Sequence, residues 1–155
     1  MMVIAHNIRS LHNVGSIFRS CDAFGVEKLF LTGITGTPPR KEIAKVALGS
    51  EHHLNWEYVE NVLELIARLK ADGMRVVALD NNSRSRSIDQ LHSVGENGLQ
   101  EKFVIILGSE VQGIEPDVLA HCHEVVEIPM VGRKQSLNVS VATGIALFAL
   151  TRSSR

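Results

Sequence analysis

The residues best suited to chemistry lie in three separated segments. Asn7, Arg9, His12, Asn13, Gly15 and Arg19 bring amides, cations and an imidazole together near the amino end. Gly108-Ser109-Glu110-Val111-Gln112-Gly113 offers a hydroxyl and a carboxylate in a glycine-bounded loop. Ile128 to Ser140 carries Pro129, Met130, Gly132, Arg133, Lys134, Ser136, Leu137 and Asn138 ahead of a long apolar stretch. The 108–113 loop opens like a phosphate loop, but Ile114-Glu115 follow where Lys and then Ser or Thr are needed, which argues against an NTPase. Ser109 lacks the Gly-x-Ser-x-Gly setting of a nucleophile elbow, and no Gly-x-Gly-x-x-Gly turn occurs. A serine hydrolase and a nicotinamide dehydrogenase therefore both lose support.

No metal is expected. The histidines, His12, His52, His53, His121 and His123 among them, come without Cys-x-x-Cys spacing and read as solvated or internally bonded side chains. His121-Cys122-His123 is the only cluster worth a metal assay. Asn13 and Arg19, six positions apart, do not share one face of a helix. With Asn13 as the cap, however, it would stand over a site that Arg19 reaches. In the third segment a helix capped by Ser136 would leave free backbone N–H groups beside Asn138, a setting for a carboxylate or a polar cofactor group.

These segments need elements to position them. Val3 to Ala5, Val26 to Leu31, Trp56 to Val59, Met74 to Leu79, Phe103 to Leu107 and Val125 to Ile128 read as strands. Val14 to Phe24, stopped by Gly25, Ile43 to Leu48, Val62 to Leu69, Pro116 to Ala120 and a final stretch from about Ser136 read as helices, and Asp80 to Arg86 as a surface loop. Apolar strands alternating with helices predict an α/β fold, a parallel sheet flanked by helices on both faces. Ligands of such sheets sit beyond the carboxyl ends of the strands, where all three segments fall. From Val139 to Leu150 the last helix is apolar nearly all round, which predicts burial or a shared subunit interface. A charge at Ala146 is then expected to weaken a dimer and its activity together.

The composition sets the frame. At 155 residues, 45% hydrophobic and 21% charged, the chain is long enough for one domain with a real core. A formal net charge of −1 means that any polyanion site is local. The bases gather in Arg9 and Arg19, in Arg40, Lys41 and Lys45, in Arg84 and Arg86, and in Arg133 and Lys134. No apolar run reaches membrane-spanning length and Met1 to Ala5 has no basic leader region, so no membrane association is expected. Two cysteines, Cys21 and Cys122, are too few for a disulfide framework and suit a reducing cytoplasm.

The three segments resemble the motifs of the SpoU/TrmH family of RNA ribose 2′-O-methyltransferases in the SPOUT superfamily. Asn13 to Gly25 (NVGSIFRSCDAFG) is similar to the first motif, Ile106 to Ile114 (ILGSEVQGI) to the second, and Ile128-Pro129-Met130 with Ser136 to Ala142 (SLNVSVA) to the third. The resemblance covers nearly the whole chain. It implies a SPOUT-type domain over residues 1–155 without a separate RNA-binding domain, with a C-terminal trefoil knot, although chains in general avoid knots. It further implies S-adenosylmethionine as cofactor, a homodimer, and RNA as partner, with tRNA favoured over rRNA. Arg19 would be the catalytic arginine and Asn13 its positioning partner, with Glu110, Ser136 and Asn138 the remaining polar site residues. Leu107, Gly108, Ser109, Ile128, Met130 and Leu137 would line the cofactor cleft, largely through backbone atoms. Arg9, His12, Arg40, Lys41, Arg84, Arg86 and Arg133, in loops or near strand ends, are the expected RNA contacts. Alternatives are an rRNA 2′-O-methyltransferase, a methylase of base nitrogens, and a non-catalytic RNA-binding or assembly factor of the same fold. A guanidinium is a poor base, so Arg19 either shares protons with a substrate phosphate or acts by positioning and charge alone.

Overall fold

A computed structural model describes residues 1–91 and 101–152. In chain order the elements are β1 (Met2–His6), α1 (Leu11–Ala23), β2 (Lys28–Thr32), α2 (Lys41–Ala47), α3 (Ser50–His53), β3 (Trp56–Val59) and α4 (Val62–Ala71). They continue as β4 (Arg75–Leu79), β5 (Arg86–Ser87), β6 (Phe103–Leu107), α5 (Pro116–His121), β7 (Glu124–Glu127) and α6 (Val139–Arg152). The strands pair in parallel in the order β3-β2-β1-β6-β4-β7-β5. This is the α/β parallel sheet expected from the sequence.

Both faces of the sheet are covered, which is why its inner strands are apolar without alternation. Val3, Ala5, Leu29, Leu31, Ile105 and Leu107 point to the side of α1 and α6, among Ile17, Phe18, Cys21, Ala146, Leu147 and Leu150. Ile4, Phe30, Val76, Ala78, Val104 and Ile106 point to the other side, against Val62, Leu65, Ile66 and Leu69 of α4 and Val118 of α5. Parallel strands send all their outgoing loops from one end. The loops after β1, β2, β4, β6 and β7 therefore meet there, and they carry all three segments singled out above.

Several boundaries differ from the sequence reading. Helix α1 begins at Leu11 and is capped by Ser10, whose Oγ accepts the Asn13 N–H at 3.2 Å, so Asn13 is not the cap. A serine hydroxyl fills the capping role, which leaves the Asn13 amide free to bond elsewhere. Helix α6 begins at Val139 rather than Ser136, because Asn138 Oδ1 accepts the Ser140 N–H at 2.9 Å and its carbonyl receives the Ala142 N–H. The short α3 and β5 escaped the sequence reading, since neither is long enough to establish a hydrophobic period. Strand β7 lies between β4 and the earlier β5, so the Asp80–Ser85 connection passes over the end of β7.

No helix among the described residues is long and apolar enough to cross a membrane. Ala146 is 1% exposed within its own protomer, so a charge there would break the core rather than probe an interface. The open stripe of α6 is instead Val141, Ile145 and Phe148, spaced by four and three residues on one helical face.

Candidate active site

Glu110 joins two of the three segments directly and the third through one more residue. Its Oε1 accepts the Ser10 N–H at 3.2 Å and an Asn13 Nδ2 hydrogen at 3.0 Å, and its Oε2 accepts the Arg9 N–H at 3.2 Å. Asn138 Nδ2 in turn donates to Asn13 Oδ1 at 3.2 Å. The Asn138 oxygen is fixed by the Ser140 N–H and hydroxyl, which sets the orientation of its amide. Burial pushes the Glu110 carboxyl up, but the Asn13 amide and the backbone N–H groups of Glu110, Arg9 and Ser10 outweigh it and hold the group below the usual carboxylate range. The result is an ionised carboxylate held by two chained amides.

Glu110 also lines a cleft of about 470 Å3 at the carboxyl ends of β4, β6 and β7. Its walls include Leu107, Gly108, Ser109, Ile128, Met130, Ser136 and Leu137, so every candidate cofactor contact named from the sequence faces one cavity. Gly108 is required where β6 ends: a Cβ there would fall 2.6 Å from the Gly113 carbonyl carbon and 2.5 Å from Ile114 Cγ1. Leu79, Asp80, Asn81, Glu127 and Gln135 line the same cleft and were not singled out in the sequence. Asp80 had a legible signal, as the first polar residue after an apolar strand. Its Oδ2 accepts the Ile114 N–H at 3.3 Å and so fastens the 108–113 loop to the end of β4.

Arg19 stands apart. It is exposed on α1 and makes none of the contacts that join Asn13, Glu110 and Asn138. Arg9, His12, Arg40, Lys41, Arg84 and Arg133 are all exposed and follow β1, β2, β4 or β7, hence lie at the end of the sheet that bears the cleft. Arg86 is exposed as well, but it sits in β5 beside Val126 and its guanidinium is ion-paired with Glu124 of β7.

A second polar cluster lies at the end of β1. Buried His6 places Nδ1 2.8 Å from Thr32 Oγ1 and Nε2 3.0 Å from Glu115 Oε2, while Asn7 Nδ2 donates to Glu115 Oε1 at 2.7 Å. No sequence signal joins partners so far apart in the chain. Burial lowers the His6 pKa below 6.5, and Glu115 offsets only part of this. The neutral imidazole is therefore the folded form, and its contribution to stability is complete above pH 6.5 and lost as the pH falls through the lower folded value. The melting temperature is expected to fall between pH 7.5 and pH 5, and to fall less in His6→Asn; equal falls in the two proteins would contradict this.

Among the described residues no group of three or more His, Cys, Asp or Glu side chains comes together to hold a metal. In the His121-Cys122-His123 cluster, His121 Nδ1 is bonded to the Asp117 carbonyl and His123 Nδ1 accepts the Val76 N–H. Burial pushes the Cys122 thiol up to about 11, which makes it a poor ligand at neutral pH.

Fold and site together define a parallel α/β protein with a cleft at its strand ends and, on the rim, a carboxylate held by two chained amides. Residues 1–148 match the SpoU rRNA Methylase family, and the chain belongs to it. The tRNA (guanosine(18)-2'-O)-methyltransferase of Aquifex aeolicus is 31% identical over 152 residues, covering 98% of this chain and 69% of that protein. The 23S rRNA (guanosine-2'-O-)-methyltransferase RlmB of Escherichia coli is 28% identical, covering 97% of this chain and 59% of its own length. The AdoMet-bound rRNA methyltransferase from Sinorhizobium meliloti matches with a TM-score of 0.88 at 28% identity, over 97% of this chain and 55% of that one. The chain thus spans little more than half the length of two of these three relatives.

Proposed function

We propose that this protein transfers the methyl group of S-adenosylmethionine to a ribose 2′-hydroxyl in structured RNA, with tRNA ahead of rRNA as substrate. The observation that carries the reading is the Glu110–Asn13–Asn138 relay at the mouth of the cleft, in a chain of the SpoU family. Preference for tRNA is supported by the higher identity to the tRNA enzyme of Aquifex aeolicus.

The cleft fits the cofactor. Its volume lies in the range of small-ligand sites, and its walls alternate apolar Leu79, Leu107, Ile128, Met130 and Leu137 with polar groups. The carboxylates Asp80, Glu110 and Glu127 suit a ligand bearing a sulfonium and an ammonium. When bound, the cofactor supplies an electrophilic methyl group, and no metal is needed for that chemistry. Leu107, Gly108, Ser109, Ile128, Met130 and Leu137 would hold it. Asn13 and Asn138 fix the Glu110 carboxylate beside the reaction centre and Ser136 offers a hydroxyl to the same space; Arg19, exposed on α1 outside this group, takes from the motif it sits in the role of orienting the phosphate and hydroxyl that the RNA brings. Arg9, His12, Arg40, Lys41, Arg84 and Arg133 carry the RNA backbone.

Leu137→Arg fills the cleft with a charged side chain, so cofactor affinity in calorimetry is expected to fall by more than about tenfold, a cost of roughly 1.4 kcal/mol. Unchanged affinity would place the cofactor elsewhere.

A trefoil knot in the carboxyl-terminal segment is supported by the way residues 80–86 clasp it. Asp80 N–H donates to the Val126 carbonyl, Asn81 Nδ2 to the Gln135 carbonyl and Ser85 Oγ to Glu127 Oε2. A homodimer through α6 is supported by the exposed stripe of Val141 (51%), Ile145 (40%) and Phe148 (50%). Ile145→Asp is expected to convert dimer to monomer in light scattering while leaving the secondary structure intact; a monomeric parent would refute the interface. Two free cysteines suit a reducing compartment, for which we take the cytoplasm.

The decisive experiment incubates the protein with methyl-labelled S-adenosylmethionine and total RNA from a deletion strain. Label in a 2′-O-methyl nucleoside is the expected product, and label in a base or none at all would overturn the reading.

A further inference from the structure

The turn that leaves β2 is fixed from several sides. Gly33 has φ +63°, and a Cβ there would fall 2.0 Å from Asn7 Oδ1, so only glycine fits. Asn7, itself left-handed at φ +54°, accepts the Ile34 N–H at 3.0 Å. Buried Thr35 accepts the Ile8 N–H at 3.0 Å, and its hydroxyl hydrogen faces the Thr32 and Ala5 carbonyls at 2.8 and 2.9 Å. Yet Ile34, the residue these bonds hold in place, is 63% exposed. Tyr58 of β3 lies against the same turn, donating its hydroxyl to the Gly33 carbonyl at 2.8 Å, and is 44% exposed. A backbone fixed this firmly presents an aliphatic side chain and a ring to water.

We infer that Ile34 and Tyr58 form a subsite for one unpaired nucleobase on the strand that carries the methylated nucleotide. The inference rests on RNA being the substrate. Two side chains make a patch the size of a base and far smaller than a stable protein interface requires. Every base has an apolar face that packs on a ring or an aliphatic side chain, which makes such a platform tolerant of sequence. Arg40 and Lys41, exposed where the same loop enters α2, supply the charge that a neighbouring phosphate needs.

The subsite is also tied to the reaction centre. Asn7 holds both the Ile34 turn and Glu115, while Glu110 is held by Arg9, Ser10 and Asn13. Both ends of the 110–115 segment are thus fastened to the residues that follow β1. A base seated on Tyr58 would set the register of the RNA strand against Glu110.

The test uses fluorescence anisotropy with a fluorescein-labelled unstructured oligoribonucleotide and an abasic strand of equal length and charge. The parent is expected to prefer the base-bearing strand. Tyr58→Ala should weaken binding of that strand by about five- to a hundredfold and remove the preference. Its salt dependence and S-adenosylmethionine affinity should stay those of the parent, and its melting temperature should fall no further than the loss of the Tyr58–Gly33 hydrogen bond and the ring contacts requires. Tyr58→Phe keeps the ring and should keep the preference, whereas Arg40→Ala should weaken both strands alike and flatten the salt dependence. If the parent binds and methylates RNA but shows no preference, or Tyr58→Ala retains it, the subsite is refuted and the methyltransferase reading stands. If the parent neither binds nor methylates RNA, both fall.

Discussion

Arg19→Ala is expected to lower methyl transfer by about 100- to 1000-fold, the usual cost of removing one charge-stabilising contact at a reaction centre. S-adenosylmethionine affinity should be nearly unchanged. The asymmetry follows from position. Arg19 is exposed on α1, outside the walls of the cleft, so its loss removes no cofactor contact. A group that acts on hydroxyl and phosphate lowers the rate and spares the ground-state affinity of the other substrate. Arg19→Lys should rescue little, since an ammonium cannot hold two oxygens in a planar fork. Single-turnover rates with the cognate RNA and calorimetry with cofactor alone supply the two readings. Full activity in Arg19→Ala would end the assignment and leave Glu110 or a substrate group as the leading candidate.

Glu110→Ala is expected to reduce both rate and cofactor affinity. The rate effect should again be about 100-fold or more, because the Arg9 and Ser10 N–H groups and the Asn13 amide lose their common acceptor. Affinity falls as well since Glu110 is part of the cleft wall. Glu110→Gln retains an oxygen but only one, and should lie between parent and alanine variant. The depressed carboxyl adds a pH signature. Its stabilising contribution is complete above the ordinary value of 4.5 and lost as the pH falls through the lower folded value. Acid unfolding of Glu110→Gln should accordingly be shallower in that window than that of the parent. A variant with parental rate, affinity and acid profile would remove Glu110 from the site.

The sequence by itself determined the α/β class, since continuously apolar runs such as Phe103 to Leu107 alternate along it with helix-patterned stretches. It also determined which loops matter, because in a parallel sheet every loop that follows a strand leaves from the same end. The tertiary structure decided what those loops do to one another. Glu110 and Asn13 lie 97 positions apart, and Asn138 and Asn13 lie 125 apart, separations that carry no local periodicity. The same holds for the clamp of His6 and Asn7 on Glu115. Helix caps fell between the two levels. Ser10, Asn13, Ser136 and Asn138 are all residue types that can cap, so residue type alone does not choose among them. Ser10 caps α1 while the Asn13 amide goes to Glu110, whereas Asn138 serves both its own helix and Asn13. Arg86 shows the converse: a cation in a polar stretch carries no sign in the sequence of the Glu124 carboxylate that the sheet sets beside it. Local chemistry is written in residue types, but partnership across strands exists only once the chain has folded.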